Sequence, residues 1–203
     1  MRAAVVALAT ALGTMGTAAA GERRSAIYLG GSIGARFLSV TTSAYSTALQ
    51  GYYGTKDEGA ALDLRLAASY ALRRWIELGV SVDYLYKKVD ISPEPGTGLA
   101  DGVYHHGLEL GPFGRLIARG RSLYAAVEVT MGAQTLFSVL RGVSDTHALF
   151  FVRPTLSAGV CVERGLICFD VSGGYSAAFP KRDSVPPMDG AILLFGLNVP
   201  IRR

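Results

Sequence analysis

The amino-acid sequence predicts an all-β fold, an eight-stranded antiparallel up-and-down transmembrane β-barrel. The chain of 203 residues contains 25 glycines and ten tyrosines, a composition typical of strands joined by many turns. Apolar residues recur at every second position in eight long runs, and the charged residues of those runs occupy the positions in between. We call these two sets of alternate positions the apolar parity and the polar parity. Beyond the N-terminal segment, no charge-free apolar stretch reaches the roughly 18 residues that predict a membrane-spanning helix.

The first twenty residues form a unit of their own. Arg2 gives a positive start, Ala3–Leu12 is almost unbroken in its apolar character, and three alanines end the segment at Ala20. The stretch is shorter than the about 20 predominantly apolar residues of a spanning helix. We therefore expect residues 1–20 to be a secretory signal peptide and residues 21–203 to form the outer-membrane β-barrel. An ordinary N-terminal apolar helix is the alternative.

The segment between Leu62 and Tyr86 shows the alternation of apolar and charged residues most clearly. One parity carries Leu62, Leu64, Leu66, Ala68, Tyr70 and Leu72, then Ile76, Leu78, Val80, Val82, Tyr84 and Tyr86. Successive side chains of a strand point to opposite faces, so one face is apolar and the other carries the charges. Each run has ten or more residues, whereas a strand of a soluble protein averages about 5–6 and a tilted membrane strand takes about 9–11.

Six further runs repeat this pattern: Ile27–Phe37, Leu108–Leu116, Leu123–Met131, Ala148–Val160, Ile167–Tyr175 and Ala191–Ile201. All ten charges within the eight runs lie on the polar parity: Arg36, Asp63, Arg65, Glu77, Asp83, Glu109, Arg115, Glu128, Arg153 and Asp170. Backbone polar groups cannot stay unpaired in lipid, so only a helix or a closed barrel spans it. The runs therefore predict a membrane barrel with its charges in the lumen. A soluble lipocalin-like periplasmic carrier, with the apolar face inward, is the alternative.

The connections between the runs alternate in length. We expect short turns at Arg73-Arg74, Arg119-Gly120 and Arg164-Gly165, and long loops over about Ser39–Gly59, Lys88–Gly102, Thr135–Thr146 and Ala178–Gly190. Short turns of bacterial membrane barrels are periplasmic and long loops extracellular. We therefore expect an outer-membrane protein with a periplasmic N-terminus. Aromatic girdles are expected from Tyr84, Tyr86, Tyr104, Phe150 and Tyr175 near the outer interface and from Tyr70 and Trp75 near the inner one.

In this architecture, the chain resembles the small eight-stranded outer-membrane barrels of the OmpA and OmpX type. The resemblance covers residues 21–203 and lies in the number and alternation of strands, not in an exact motif. It implies a monomer whose partners are outer-membrane lipid, lipopolysaccharide and the outer-membrane assembly machinery. One departure is the C-terminus, because such barrels usually finish on an aromatic residue whereas this chain ends FGLNVPIRR.

The predicted lumen holds four arginines and six acids. The interior of an eight-stranded barrel is just wide enough for side chains to fill, and an isolated ion away from water is very unfavourable. We therefore expect a salt-bridge lattice that plugs the lumen. The parity rule and the shortest turn place Arg65 directly opposite Asp83. A small ion pore is the alternative interpretation of the same charges.

The two cysteines, Cys161 and Cys168, lie on either side of a predicted short turn. Across a two-residue turn they face each other on neighbouring strands. Because the periplasm is oxidising, we expect a disulfide at the periplasmic end of the barrel. A redox-active dithiol is the alternative.

Histidines near the extracellular rim raise the possibility of a lipid-A-modifying enzyme. His106 lies on the apolar parity, but Leu108 stands where the deacylase family has a serine. His105 and His106 point to opposite faces, so they make a poor metal pair. The segment Ser144–His147 contains a nucleophile, an acid and a base in a short loop, where their alignment is unfavourable. We expect no catalytic residue, metal or cofactor.

The first outer loop contains Tyr45, Tyr52 and Tyr53 among small polar residues, a composition that recurs in binding loops. We treat these tyrosines as a candidate site for an extracellular ligand. The net charge of +4 comes without any lysine- or arginine-rich run, so no nucleic-acid partner is expected. The expected role is non-enzymatic, in surface interaction, adhesion or envelope integrity.

Overall fold

The computed structural model is a closed antiparallel barrel of eight strands. It describes residues 27–38, 52–53, 60–90, 92–93, 102–120, 122–140, 143–162, 167–179 and 188–201. The barrel strands are β1 Ile27–Leu38, β2 Ala60–Arg73, β3 Ile76–Asp90, β4 Gly102–Arg119, β5 Leu123–Leu140, β6 Val143–Val162, β7 Ile167–Phe179 and β8 Gly190–Ile201. Each strand pairs with its neighbours in the chain, and β1 closes the barrel against β8 with Ile27 opposite Ile201. The eight-stranded up-and-down barrel predicted from the sequence is confirmed.

The two faces of the sheet differ sharply in chemistry. The outer surface is apolar around the whole barrel, and Leu66 at mid-height is 70% exposed. The inner surface is charged, and the side chains of Arg36 and Arg153 are fully buried. Because the apolar parity points outward, the lipocalin-like alternative is wrong. No helix in the described ranges has the length and apolar character that a membrane crossing needs.

The connections at the end of the barrel that holds Ile27 and Ile201 are short, but all three differ from expectation. Three residues, 120–122, join β4 to β5, because Arg119, expected in the turn, is the last residue of β4. The turn between β2 and β3 consists of Arg74 and Trp75, because a register shift after Ala71 carries β2 on to Arg73. Four residues, not two, separate β6 from β7. Between β4 and β5, the backbone N–H of Gly120 donates to the carbonyl of Leu123 at 2.8 Å.

At the opposite end, one predicted long loop is wrong. The expected loop over Thr135–Thr146 is almost entirely strand, since β5 runs to Leu140 and β6 starts at Val143. The alternation of apolar residues stops earlier than the strands do. Backbone pairing does not depend on that alternation, so β5 and β6 continue as a paired hairpin past the point where the pattern ends. A separate two-stranded ribbon pairs residues 52–53 with 92–93, and so joins two of the long connections.

Candidate functional site

A cluster of five ions fills the upper lumen, toward the end that holds the long connections. Arg36 lies between two acids, with Nη2 3.0 Å from Asp63 Oδ2 and Nη1 2.5 Å from Glu109 Oε1. Glu109 also contacts Arg153, whose Nη1 lies 3.0 Å from Oε2. Arg153 in turn contacts Asp83 Oδ1 at 2.8 Å. All five side chains are fully buried, so each charge is neutralised by protein and not by water.

The alternation of signs continues down the lumen. From Asp83, the order is Arg65, Glu128, Arg115, Glu77 and Arg119. Arg65 Nε lies 3.7 Å from Asp83 Oδ1, while its Nη2 lies 2.6 Å from Glu128 Oε1. Arg115 Nη2 contacts the other oxygen of Glu128, also at 2.6 Å, and its Nη1 lies 3.6 Å from Glu77. We call this neutral series of five arginines and five acids, from Asp63 to Arg119, the charge ladder.

The charge ladder contains nine of the ten charges that the sequence placed in the lumen. Asp170 is the exception, since its carboxylate accepts hydrogen bonds from the Tyr124 hydroxyl at 2.6 Å and from the Asn198 amide. Arg119, which was expected to lie in a turn, takes its place in the ladder. Arg119 is the last residue of β4 and shares the parity of Glu109 and Arg115, so continuing the alternation by one step would have found it.

Polar and aromatic side chains support the ladder. Gln134 Nε2 and Ser176 Oγ donate to Glu109 at 2.6 and 3.3 Å. The ring of Phe113 lies between two guanidinium groups, with Arg65 at 5.4 Å and Arg115 at 5.2 Å from its centroid. Contacts of a cation with an aromatic face are attractive, the more so when the pair is desolvated. The ladder is thus a packed and hydrogen-bonded unit.

An apolar cluster separates the ladder from the mouth of the barrel at the end with the long connections. It consists of Leu85, Leu136, Leu149, Phe151, Ala178 and Met188, and we call it the apolar cap. On the inward face of their strands, Leu85 follows Asp83 by two residues and Phe151 precedes Arg153 by two residues. The carbonyl oxygen of Met188 accepts a hydrogen bond from Arg36 Nη1 at 3.1 Å, so the cap and the ladder are in direct contact.

The lower lumen contains small cavities beside the charge ladder, and Arg115 of the ladder lines both of them. One of about 30 Å³ is lined by small residues that include Gly30, Ser32 and Ser172, together with Asp170. A second, of about 20 Å³, lies nearer the barrel termini and is lined by Tyr28, Tyr124 and Cys168, among others. A single water needs roughly 10–15 Å³ by this measure. These cavities suit isolated waters and not a continuous aqueous path.

Comparison with known proteins gives matches in structure and none in sequence. No protein-family model and no curated protein matches the chain. Neisserial surface protein A superposes on 87% of this chain and 99% of its own, with a TM-score of 0.59 and 10% identity. The N-terminal β-barrel domain of Pseudomonas aeruginosa OprF covers 86% of this chain and 97% of its own, with a TM-score of 0.53 and 11% identity. This chain has the fold of the small eight-stranded outer-membrane barrels.

A third solved structure has the same fold. Ail, the attachment invasion locus protein of Yersinia pestis, in complex with the heparin analogue sucrose octasulfate, covers 87% of this chain and 97% of its own. The TM-score is 0.51 and the identity is 11%. At these identities the likeness concerns the fold alone, and the role of this barrel has to be argued from its own residues.

The barrel contains the expected disulfide. Cys161 and Cys168 are opposite each other on β6 and β7 and are bonded. The bond lies next to the four-residue connection between Val162 and Ile167, at the end of the barrel where β1 begins and β8 ends. It therefore closes the hairpin at its base.

The three histidines of the barrel do not form a cluster. His106 faces outward, where its Nδ1 lies 2.7 Å from the Tyr84 hydroxyl and its ring 5.4 Å from that of Tyr86. His105 is buried on the inward face, and His147 is on β6, two strands away. Within the ranges that the structure describes, no group of three or more His, Cys, Asp or Glu is placed to hold a metal ion.

The remaining candidate residues are the three loop tyrosines and the segment Ser144–His147. Tyr45 falls outside the described residues. Tyr52 and Tyr53 form the ribbon strand that pairs with Pro93 and Ser92, so the candidate ligand loop is tied to the neighbouring connection. The segment Ser144–His147 belongs to strand β6 and not to a short loop, which corrects the expectation from sequence.

Proposed function

We propose that this protein is a non-conducting, non-enzymatic outer-membrane barrel that acts through its long connections, in surface interaction or adhesion. The observation that supports the proposal is the closed lumen, in which the charge ladder lies beneath the apolar cap. An interior filled in this way leaves the surface connections as the part of the molecule that a ligand can reach. The proposal includes a secretory signal over residues 1–20, a monomeric state, and lipid, lipopolysaccharide and the assembly machinery as partners.

The proposed topology places the barrel termini in the periplasm and the long connections outside. It rests on the general asymmetry of membrane barrels, whose periplasmic turns are short. The chain offers a direct test, because its four lysines, Lys56, Lys87, Lys88 and Lys181, all lie in or beside the long connections. An amine-reactive reagent that cannot cross the membrane should label Lys56, Lys88 and Lys181 on intact cells, whereas Lys87 is buried and should react little. Labelling only after the outer membrane is permeabilised contradicts the topology.

The composition of the long connections bears on the class of ligand. Ail was crystallised with a sulfated polyanion. In this chain, residues 39–59, 91–101, 141–142 and 180–189 together contain four basic and six acidic residues. Because acidic residues outnumber basic ones, the long connections do not favour binding of a comparable polyanion. Tyrosine with serine and glycine instead favours adaptable hydrogen bonding and stacking, so we propose an uncharged glycan or a protein surface as the ligand.

The decisive experiment compares cells that display the wild-type barrel with cells that display a variant in which Tyr45, Tyr52 and Tyr53 are replaced by serine. Binding to host cells or to extracellular matrix should fall in the variant at equal surface abundance. Substitution is preferable to deleting residues 43–56, because deletion also removes the ribbon pairing between 52–53 and 92–93. Unchanged binding contradicts the role of the tyrosines, and steady single-channel conductance of the wild type in planar bilayers contradicts the closed lumen.

A further inference from the structure

The outer wall of β3 and β4 carries a group of aromatic and basic side chains near the end with the long connections. Tyr84, Tyr86 and Lys88 follow one another on the outward face of β3. On β4, Tyr104 lies opposite Lys88, and His106 lies opposite Tyr86. Tyr84, Lys88 and Tyr104 are exposed, and the other two are partly buried. We call these five residues the β3–β4 patch.

Contacts within the β3–β4 patch hold the imidazole of His106 in place. Its Nδ1 lies 2.7 Å from the Tyr84 hydroxyl, and the ring of Tyr86 lies 5.4 Å from the imidazole. With the hydroxyl donating to Nδ1, the proton of the neutral imidazole is on Nε2, which is then a donor. All five side chains carry hydrogen-bond donors, and none is an acid. The patch is therefore suited to a ligand with acceptor oxygens.

Apolar side chains flank the β3–β4 patch on both sides. In the register of the sheet, Tyr86 lies opposite Leu62 of β2, and His106 lies opposite Phe137 of β5. Both flanking residues are exposed. Among the outward-facing residues that the structure describes at this end of the barrel, Lys88 is the only cation. A negatively charged ligand is therefore directed to one wall and is not spread around the barrel.

The depth of the β3–β4 patch in a membrane follows from the length of β3. Tyr86 comes ten positions after Ile76, which begins the strand next to Trp75. At about 3.3 Å per residue and a tilt of about 40°, this length spans about 25 Å of height, the apolar band of a membrane barrel. Tryptophan and tyrosine concentrate at the two membrane–water interfaces. Trp75 and Tyr86 thus mark opposite interfaces, and Lys88 lies beyond the second, at the level of the lipid headgroups.

We propose that the β3–β4 patch binds the phosphorylated sugar headgroup of one lipopolysaccharide molecule. Lys88 supplies a positive charge and His106 a directed N–H to the phosphate oxygens, and hydrogen bonds of charged groups to phosphate are the stronger kind. The aliphatic part of Lys88 covers the apolar wall while its ammonium group reaches the headgroup. The tyrosines offer the sugar both an apolar ring and a hydroxyl. Assignment to the outer leaflet, and so to lipopolysaccharide, rests on the topology in the proposed function.

The experiment measures lipid binding to the folded barrel in detergent by native mass spectrometry. The protein is titrated with diphosphoryl lipid A, phosphatidylglycerol or phosphatidylcholine. We expect one diphosphoryl lipid A to bind the wild type more tightly than either phospholipid. Binding should weaken about fivefold in Lys88→Gln, as the loss of one basic residue beside an anionic headgroup predicts. Lys88→Arg should restore it, and Arg74→Gln, which removes an exposed charge at the opposite end, should leave it unchanged.

A second measurement tests whether the headgroup lies at His106. The imidazole NMR signals of His106 should shift when diphosphoryl lipid A replaces phosphatidylcholine, whereas those of His105, buried on the inward face, should not. Undiminished binding in Lys88→Gln, or His106 signals that do not move, overturns the proposal. Equal binding of phosphatidylglycerol overturns the sugar headgroup as the ligand. Altered migration of the unboiled protein on a detergent gel identifies a variant that has not folded, and His106→Gln, which should also weaken binding, then replaces it.

The test separates failure of the lipid site from failure of the topology, because detergent leaves both ends of the barrel accessible. Lys56 and Lys181 lie outside the β3–β4 patch and report the topology by labelling on intact cells. Selective binding together with such labelling supports both. Selective binding with lysines that are protected on intact cells overturns the proposed topology and, with it, lipopolysaccharide as the natural ligand. Labelled lysines without selective binding overturn the lipid site alone.

Discussion

Arg36 and Glu109 form a bidentate ion pair across the lumen, with Nη1 2.5 Å from Oε1 and Nη2 2.9 Å from Oε2. The two residues are on β1 and β4, which are not neighbours in the sheet. The pair therefore connects opposite walls of the barrel and is independent of backbone pairing. Arginine–carboxylate pairs of this geometry combine charge with fixed direction. The pair is one step of the charge ladder and fixes the distance between two strands that no backbone hydrogen bond connects.

Removing one charge of this pair should destabilise the barrel strongly. Glu109→Gln leaves Arg36 and Arg153 fully buried with one acid fewer, and breaking a buried pair from one side costs about 3–5 kcal/mol. The measurement is the free energy of unfolding in urea in detergent or lipid vesicles. Ser176→Ala is the matched control, because it removes only a 3.3 Å hydrogen bond to Glu109. A loss of less than about 1 kcal/mol for Glu109→Gln, as expected of exposed pairs, would mean that water reaches the site.

The disulfide should stabilise the barrel without being required for its fold. Cys161 and Cys168 are separated by seven positions, and closing so short a loop restricts the unfolded chain by about 2–3 kcal/mol. Replacing both with serine should lower the free energy of unfolding by that amount, while the gel shift of the unboiled protein is kept. A reducing agent should have the same effect on the wild type and none on the variant. If the reducing agent destabilises the variant equally, the effect does not arise from this bond.

The apolar cap should contribute to stability more than to closure. Phe151 is fully buried, and replacing a core phenylalanine by alanine costs about 3–5 kcal/mol. Because the charge ladder fills the lumen beneath the cap, Phe151→Ala should still show no conductance in planar bilayers. Phe150→Ala is the matched control, since Phe150 is the next residue and points outward, so that no internal cavity forms. Conductance in the Phe151→Ala variant would show that the cap, and not the ladder, closes the barrel.

The fold and the identity of the lumen charges follow from parity, but their pairing does not. Alternation of period 2 places a residue on one face, and the register puts Arg65 opposite Asp83 as the sequence predicts. Yet Arg65 lies closer to Glu128, on the far wall, than to its neighbour in the sheet. Contacts across the lumen depend on the tilt and stagger of strands that are not neighbours in the sheet. The alternation of residues within one strand does not determine that tilt and stagger. Parity therefore predicts which residues share the lumen and leaves open which of them meet.

The outward position of the apolar face gives a final prediction about the surroundings of the barrel. Leu66 points outward at mid-height, and Leu72, on the same face of β2, lies close to the turn. In a lipid bilayer, an arginine on the outer face costs about 2–4 kcal/mol at the midplane and roughly 0–1 near the interface. Leu66→Arg should therefore lower the free energy of unfolding from lipid vesicles much more than Leu72→Arg does. Equal effects of the two substitutions would indicate that water, and not lipid, surrounds β2, because only a bilayer makes the penalty depend on depth.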